Sequence, residues 1–381
     1  MIPQTKNNPI HVLQVIGSMN LGGAESMVMN LYRSIDRTKV QFDFLVHTEK
    51  EAAFDKEIKS LGGNIYRVPK LTGKNAYTYY HACCDFFSKH PEIKVLHGHI
   101  GSSAYFYVKA AKKYGVFTIV HSHSANVIRT PRDLAFSIFS YPTRYIADEL
   151  FGCSTEAGIQ RFGKKAVKRE NYRNFPNAID IGQYQFNEKE RGLARAEFNI
   201  PDNYCLIGTV GRLIPEKNPN YIFEIFKHLV SNYSNVKCLW VGYGLSEPEC
   251  RDKVLSAGLE DKIIMPGRRN DVHYLLQGMD AFILPSITEG LPVAGIEAQA
   301  AGLPCIFSDS VSHESAICDL VRWKSINLPA SDWARDVLSL AQEYKQKRST
   351  PFDEIKKSGY DIKATSSWLT EYYISKAKEY R

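Results

Sequence analysis

"AFILPSITEGLPVAGIEAQAAGLPCIFSDS" runs from Ala281 to Ser310 and contains one complete unit of a repeating pattern. An apolar run, Ala281–Leu284, stops at Pro285. A glycine-proline turn follows, then an alanine-rich stretch that reads as a helix opened by Pro292, then a second apolar run at Pro304–Ser310. Short apolar runs bounded by turn residues describe strands buried on both faces, and a helix between two of them describes a right-handed β-α-β crossover. Pro292 near the helix start does no harm, because the first helical amides have no partner to lose. Two acids stand out. Glu289 sits on the turn, and Glu297 falls in the second helical turn between Ile296 and Ala298. An ionised carboxylate in such apolar company is costly unless something polar meets it or the helix faces a cleft.

The same pattern extends outward in both directions. His11–Gly17, Gln41–His47, Asn64–Pro69, Lys94–His99 and Val116–His123 read as buried parallel strands of a first half. Cys205–Arg212, Lys237–Gly244, Lys262–Arg268, Ala281–Ser286 and Pro304–Ser310 repeat the arrangement in a second. Helical segments between them predict two doubly wound α/β domains, residues 1–180 and 181–364, joined near Asn177–Tyr184. Residues 365–381 carry a helix, Ser366–Tyr380, with Trp368, Leu369, Tyr372 and Tyr373 on one face and either domain to pack against. Ligands of such sheets bind beyond the carboxyl ends of the strands, so residues just after strands carry the most weight.

At 381 residues, two domains are the natural expectation, and 44% hydrophobic with 23% charged residues is an ordinary globular composition. The first thirty residues lack a signal-peptide pattern, and no apolar run approaches the ~20 residues of a membrane span. The eight cysteines include no Cys-x-x-Cys pair, which points to reduced thiols and a cytoplasmic location rather than disulfides or a zinc site. Charge is uneven: residues 1–180 hold 24 basic against 15 acidic side chains, and the remainder 24 against 26. A basic first half suits a polyanionic neighbour, whether membrane surface, nucleic acid or phosphorylated substrate.

Several post-strand segments carry chemistry. In "NLGGAES" (Asn20–Ser26), Gly22 and Gly23 let backbone approach a ligand at a helix N-terminus, although the third glycine of a dinucleotide fingerprint is missing. In "TVGRLIPEKNP" (Thr209–Pro219), Arg212 and Lys217 place a forked and a compact cation before a helix, a suitable cradle for a diphosphate. The amides of Gly290, Leu291 and Val293 are free to face a sugar or phosphate, and Glu297 is placed to accept from two vicinal hydroxyls such as those of a ribose. "VHSHS" (Val120–Ser124) puts His121 and His123 at a strand tip. With no Asp-x-Asp and no clustered third ligand in the sequence, a polar role in orienting substrate is expected there rather than metal binding. His97 and His99 in "LHGH" are expected to make local hydrogen bonds only.

These segments occur in a fixed order: "GGAE", then "GR…EK", then "GxG" at Gly242–Gly244, then "PSxxEGLPxxxxEAxAxGxP". Together they resemble the retaining GT-B glycosyltransferases of glycosyltransferase family 4, in particular bacterial enzymes that assemble capsular polysaccharide, exopolysaccharide and O-antigen. The likeness runs from about His11 to Glu314, with Glu289–Pro304 as its most specific part. It implies two Rossmann-like domains facing a central cleft, with the last helix crossing back to the first domain. It implies that Arg212 and Lys217 bind the donor diphosphate above Gly22 and Gly23, and that Glu297 grips the ribose. Glu289, Gly290, Leu291, Pro292 and Val293 would contact the transferred sugar, His123 would reach it from the other domain, and Gly242 and Arg268 would frame the nucleotide. Tyr243 departs from the pattern, since an acid is frequent between those glycines.

The expected activity is transfer of a hexose or N-acetylhexosamine from a nucleotide sugar, UDP being the commoner nucleotide, to a glycan or lipid-diphosphate-linked acceptor. Arg212, Lys217 and helix N-termini would offset the charge of the departing diphosphate, so no metal or other cofactor is expected. "YFYVKAAKKYG" (Tyr105–Gly115) and "RFGKKAVKRENYR" (Arg161–Arg173) suggest peripheral attachment at the inner membrane face, with no nucleic-acid partner. Two other functions fit parts of the pattern. A nucleotide-sugar epimerase shares the paired-domain fold but needs a base at the sugar carbon, and a non-enzymatic membrane or nucleic-acid adaptor leaves the two acids without a use.

Overall fold

The computed structural model describes residues 8–123, 137–289 and 291–380. The chain divides into two compact units: residues up to Ile179 together with those from Gly359 onward, and Asp180–Ser358. Each unit holds one parallel sheet, in agreement with the expected pair of doubly wound domains.

The first sheet contains β1 (Ile10–Ile16), β2 (Val40–Val46), β3 (Ile65–Arg67), β4 (Ile93–Gly98), β5 (Phe117–Ser122), β6 (Glu149–Gly152) and β7 (Tyr172–Asn174). Their spatial order is β3-β2-β1-β4-β5-β6-β7, with every pairing parallel. Side chains alternate across the sheet. Val12 and Ile16 of β1 join a core with Tyr32, Phe42, Leu369 and Tyr373. Leu13 and Val15 join the opposite core, with Tyr79, Phe87, Tyr107 and Val108. Helices Gly23–Ser34 and Ile362–Glu379 cover the first face. Helices Ala76–Lys89 and Ala104–Lys113 cover the second. A helix on each side explains why these strands are nearly continuous in apolar residues.

The second sheet contains β8 (Cys205–Val210), β9 (Val236–Val241), β10 (Ile263–Gly267), β11 (Ala281–Leu284), β12 (Cys305–Ser308) and β13 (Val321–Lys324). Their order is β10-β9-β8-β11-β12-β13, again parallel throughout. Helices Pro219–Asn232 and Ala330–Tyr344 pack Phe226 and Trp333 onto one face. Val293–Ala300 packs against β11 and β12. Gly295 permits that close approach, because a Cβ there would stand 2.7 Å from Phe307 Cζ. In both sheets the order reverses beside the first strand of the unit, between β1 and β4 and between β8 and β11. These switch points are where open α/β sheets leave room for ligands.

Three strands escaped the sequence pattern. β6, β7 and β13 are only three or four residues long, and the last two lie at sheet edges. Edge position lets Arg173, Arg322 and Lys324 sit in strands, where Arg322 pairs with Glu343 at 2.6 Å and Lys324 pairs with Asp336. The helix Ile362–Glu379 packs on the first unit, contacting β1, β4 and helix Gly23–Ser34. Among the described residues, no helix is long and apolar enough to cross a membrane.

Candidate functional site

Every proposed donor-binding residue of the second unit follows a strand end. Arg212 stands two residues beyond β8 and is exposed. Lys217 ends a short 3-10 turn, Pro215–Lys217, immediately before Asn218, whose left-handed backbone (φ 59°) leads into Pro219–Asn232. Glu289 follows β11. Because β8 and β11 are neighbours, Lys217 and Glu289 meet at the switch point, where the ammonium donates to Glu289 Oε1. Ser286 Oγ donates to the same oxygen at 3.0 Å. A backbone bond, Ile287 N–H to Glu216 O at 2.9 Å, ties the two loops together.

Leu291 and Pro292 are buried, and Val293 begins the helix that carries Glu297. Its leading amides have no intrahelical acceptor, and its side chains offer them no cap. Gly290 lies outside the described residues. Glu297 does find a polar partner: the Tyr184 hydroxyl donates to Oε1 at 2.6 Å. Burial pushes the Glu297 carboxyl above its ordinary range, and the Tyr184 bond pulls it back down. Burial, with the neighbouring carboxylate, raises Tyr184 well above a normal phenol and so keeps it a donor. Tyr184 was not a sequence candidate. It belongs to a four-residue helix, Ile181–Tyr184, at the start of the second unit, and the only sequence signal was Glu297's own need for a partner.

The tips of β8, β9 and β10 are joined backbone to backbone. Gly211 N–H donates to Val241 O, Leu213 N–H to Tyr243 O, and Gly242 N–H to Gly267 O, all at 2.9–3.0 Å. Gly242 has φ +149°, and a Cβ there would fall 1.8 Å from Gly211 O; one at Gly244 would fall 2.3 Å from Leu213 O. The "GxG" is therefore required by packing against the Arg212 loop. Between the glycines, Tyr243 lies under the Arg268 guanidinium, 5.5 Å from its ring centroid. Arg268 itself is exposed.

Gly22, Gly23 and His123 belong to the first unit. Gly22 caps the helix Gly23–Ser34 in extended conformation. A Cβ on Gly22 would meet only the movable end of Glu25, and one on Gly23 would meet nothing within 4 Å. His123 Nε2 lies 2.7 Å from His99 Nδ1, and His99 Nε2 lies 2.9 Å from Gln14 Oε1. The expectation that no third ligand clusters with the β5 histidines is corrected: one ring nitrogen from each of His97, His99 and His121 lies within 4.8 Å of the others. The pattern hid this because the third imidazole comes from β4, an adjacent strand more than twenty residues away in sequence. His97 and His99 also do more than make local bonds, since His97 Nδ1 lies 2.6 Å from the hydroxyl of Tyr373 on helix Ile362–Glu379.

The two basic stretches are partly committed to the fold. Lys112 pairs with Asp148 at 2.6 Å. Arg161 donates to Ser140 Oγ at 2.9 Å, and Arg173 pairs with Glu149 at 3.6 Å. Lys164, Lys165 and Lys168 remain exposed. The eight cysteines form no disulfide with one another.

A model of the family described as glycosyl transferases, group 1, matches residues 190–350. Glycosyltransferase EpsF of Bacillus subtilis (strain 168) is 32% identical over 375 residues, covering 97% of this chain and 98% of that protein. UDP-Gal:alpha-D-GlcNAc-diphosphoundecaprenol alpha-1,3-galactosyltransferase of Escherichia coli is 27% identical over 232 residues, 58% of this chain and 59% of its own. Among solved structures, Anabaena Alr3699/HepE in complex with UDP superposes with a TM-score of 0.73 at 16% identity, covering 97% of this chain and 99% of that one. That superposition shows the shared fold.

Proposed function

The chain belongs to the group 1 glycosyl transferases, and from that premise we propose that it is a retaining, family 4 enzyme using a UDP-sugar donor. It transfers a hexose or N-acetylhexosamine to a glycan or lipid-diphosphate-linked acceptor in cell-surface polysaccharide assembly. The single observation that carries this proposal is the meeting of Lys217 and Glu289 at the β8/β11 switch point. A cation for the donor's diphosphate and an acid for its sugar come from two loops that only the fold brings together. Supporting it are Glu297, held by Tyr184 for the ribose, and Arg212, exposed on the same β8 loop as Lys217.

The chemical difficulty is the leaving group, because the departing nucleoside diphosphate gains negative charge as the glycosidic bond breaks. Arg212 and Lys217 stabilise that charge, and Lys217 exchanges part of its bond to Glu289 for a phosphate oxygen. The acceptor oxygen attacks from the face the diphosphate leaves, and a departing phosphate oxygen takes its proton, so the anomeric configuration is retained. His123 orients the sugar, Gly22 and Gly23 let backbone approach the diphosphate, and Gly242 and Arg268 frame the nucleotide. Leu291, Pro292 and Val293 line the sugar's side. No metal enters the step. The HepE complex and the E. coli relative's name favour UDP and a lipid-diphosphate acceptor. Exposed Lys164, Lys165 and Lys168 favour peripheral attachment at the cytoplasmic membrane face.

The test is turnover with a panel of nucleotide sugars and lipid-diphosphate acceptors, with the product anomer assigned by NMR. Retained configuration, and no acceleration by added Mg2+ or Mn2+, are the expected results; an inverted linkage overturns the mechanism. Lys217→Ala should lower kcat about 100-fold or more, because removing one preorganised charge donor costs about 3 kcal/mol of transition-state stabilisation.

A further inference from the structure

His97, His99 and His121 take no part in the donor chemistry above, yet their ring nitrogens cluster within 4.8 Å of one another. Strands β4 and β5 pair in parallel with His97 opposite Ile119. Alternation places residues 97, 99, 121 and 123 on one face of the sheet, beneath the helix Ile362–Glu379. His97 and His121 are only 1% and 2% exposed. Even so, His97 Nε2 is buried without a hydrogen-bond partner among the described residues, and neither ring nitrogen of His121 makes a well-formed hydrogen bond there, although the Phe175 backbone stands close enough to act on the ring. Each such atom carries a desolvation cost that a folded protein normally avoids.

The partners that do exist fix which nitrogens are open. A carboxamide oxygen only accepts, so the bond to Gln14 Oε1 puts the His99 proton on Nε2 and leaves Nδ1 as a lone pair. Tyr373 engages His97 at Nδ1, leaving Nε2 open. Metal-bound imidazoles are held in this way, with the far nitrogen anchored to an oxygen and the near one directed at the ion.

We propose that His97, His99 and His121 bind a divalent cation of the Zn2+ class, with a water as the fourth ligand. An all-imidazole set favours such borderline ions over Mg2+ or Ca2+, which require oxygen ligands. Zinc–nitrogen bonds of about 2.0–2.1 Å place ligand nitrogens ~3.4 Å apart, so the present spacing within 4.8 Å closes with small ring rotations. The ion replaces the contact between His99 and His123. Through Tyr373 it links the sheet to helix Ile362–Glu379, so its effect is on the stability of the first unit.

The test uses the full-length chain, stripped with a chelator and titrated with Co2+. The expected result is a tetrahedral d–d absorption band saturating at one equivalent, displaced by Zn2+, with a higher melting temperature when Zn2+ is bound. His97→Gln and His121→Gln should each lose the band. Failure of the wild-type chain to give a stoichiometric band overturns the proposal, whatever the variants do. So does a band that survives unchanged in both folded variants, because other histidines would then hold the ion.

Discussion

Tyr184 and Glu297 show how one side chain sets the chemistry of another. The hydroxyl at 2.6 Å partly counters the burial that raises the Glu297 carboxyl above its ordinary range. Removing only that hydroxyl, with Tyr184→Phe, should leave the fold intact and weaken UDP binding about tenfold, since a hydrogen bond to a charged group contributes about 1.5–3 kcal/mol. Isothermal titration with UDP reads this directly, and unchanged affinity would separate Tyr184 from the site. At this scale the sequence was informative about individual residues and uninformative about their pairing. An acid between Ile296 and Ala298 announces that it needs a partner, as do Arg212 and Lys217 before a helix. That Tyr184 is the partner, or that Lys217 pairs with Glu289, leaves no trace in periodicity, because such contacts form only when distant loops are brought together.

Among the elements, the glycines divide into two kinds. At Gly242 the backbone has φ +149° and a Cβ would stand 1.8 Å from Gly211 O, so Gly242→Ala must push the Arg212 loop away from β9. The expected cost is about 2–4 kcal/mol of stability, seen as a lower denaturation midpoint, with donor binding lost as well. Gly23 is the opposite case. It opens a helix, has no close neighbour and no unusual φ, so Gly23→Ala should preserve or slightly raise the melting temperature. If a diphosphate approaches that backbone, the same variant weakens donor binding; full activity would show that the glycine serves the turn alone. Strand content was legible where two covering helices force a continuous apolar run, as in β1, β8 and β11. It was not legible in β7 or β13, where an edge position tolerates arginine and lysine.

For the molecule as a whole, a buried imidazole makes stability fall as the solution becomes acid. His47 lies against the Tyr79 hydroxyl at 2.7 Å, and burial lowers it to about 4. Its unfolded counterpart titrates near 6.5, so between those values the unfolded chain binds the extra proton. The contribution is fully present above pH 6.5 and is lost as pH falls toward 4. Between pH 7 and pH 5 the wild type should lose about 2 kcal/mol more than His47→Gln in denaturant titrations; parallel losses would mean that His47 is protonated in the folded state too. The two-unit architecture was legible in the repetition of one strand-helix pattern, but the return of the chain at Gly359 was less so, because an amphipathic helix does not announce which sheet it will cover. That return has a consequence for biogenesis. Ile179 bonds to Tyr360 and Ile362 on either side of the whole second unit, and Leu369 and Tyr373 complete the core around Phe42. On the ribosome, the contiguous second unit can finish folding as it emerges, whereas the earlier-made sheet must wait, with one face incompletely covered, until the last helix is synthesised. The half translated first is thus the half completed last, with unfinished apolar surface exposed in the interval.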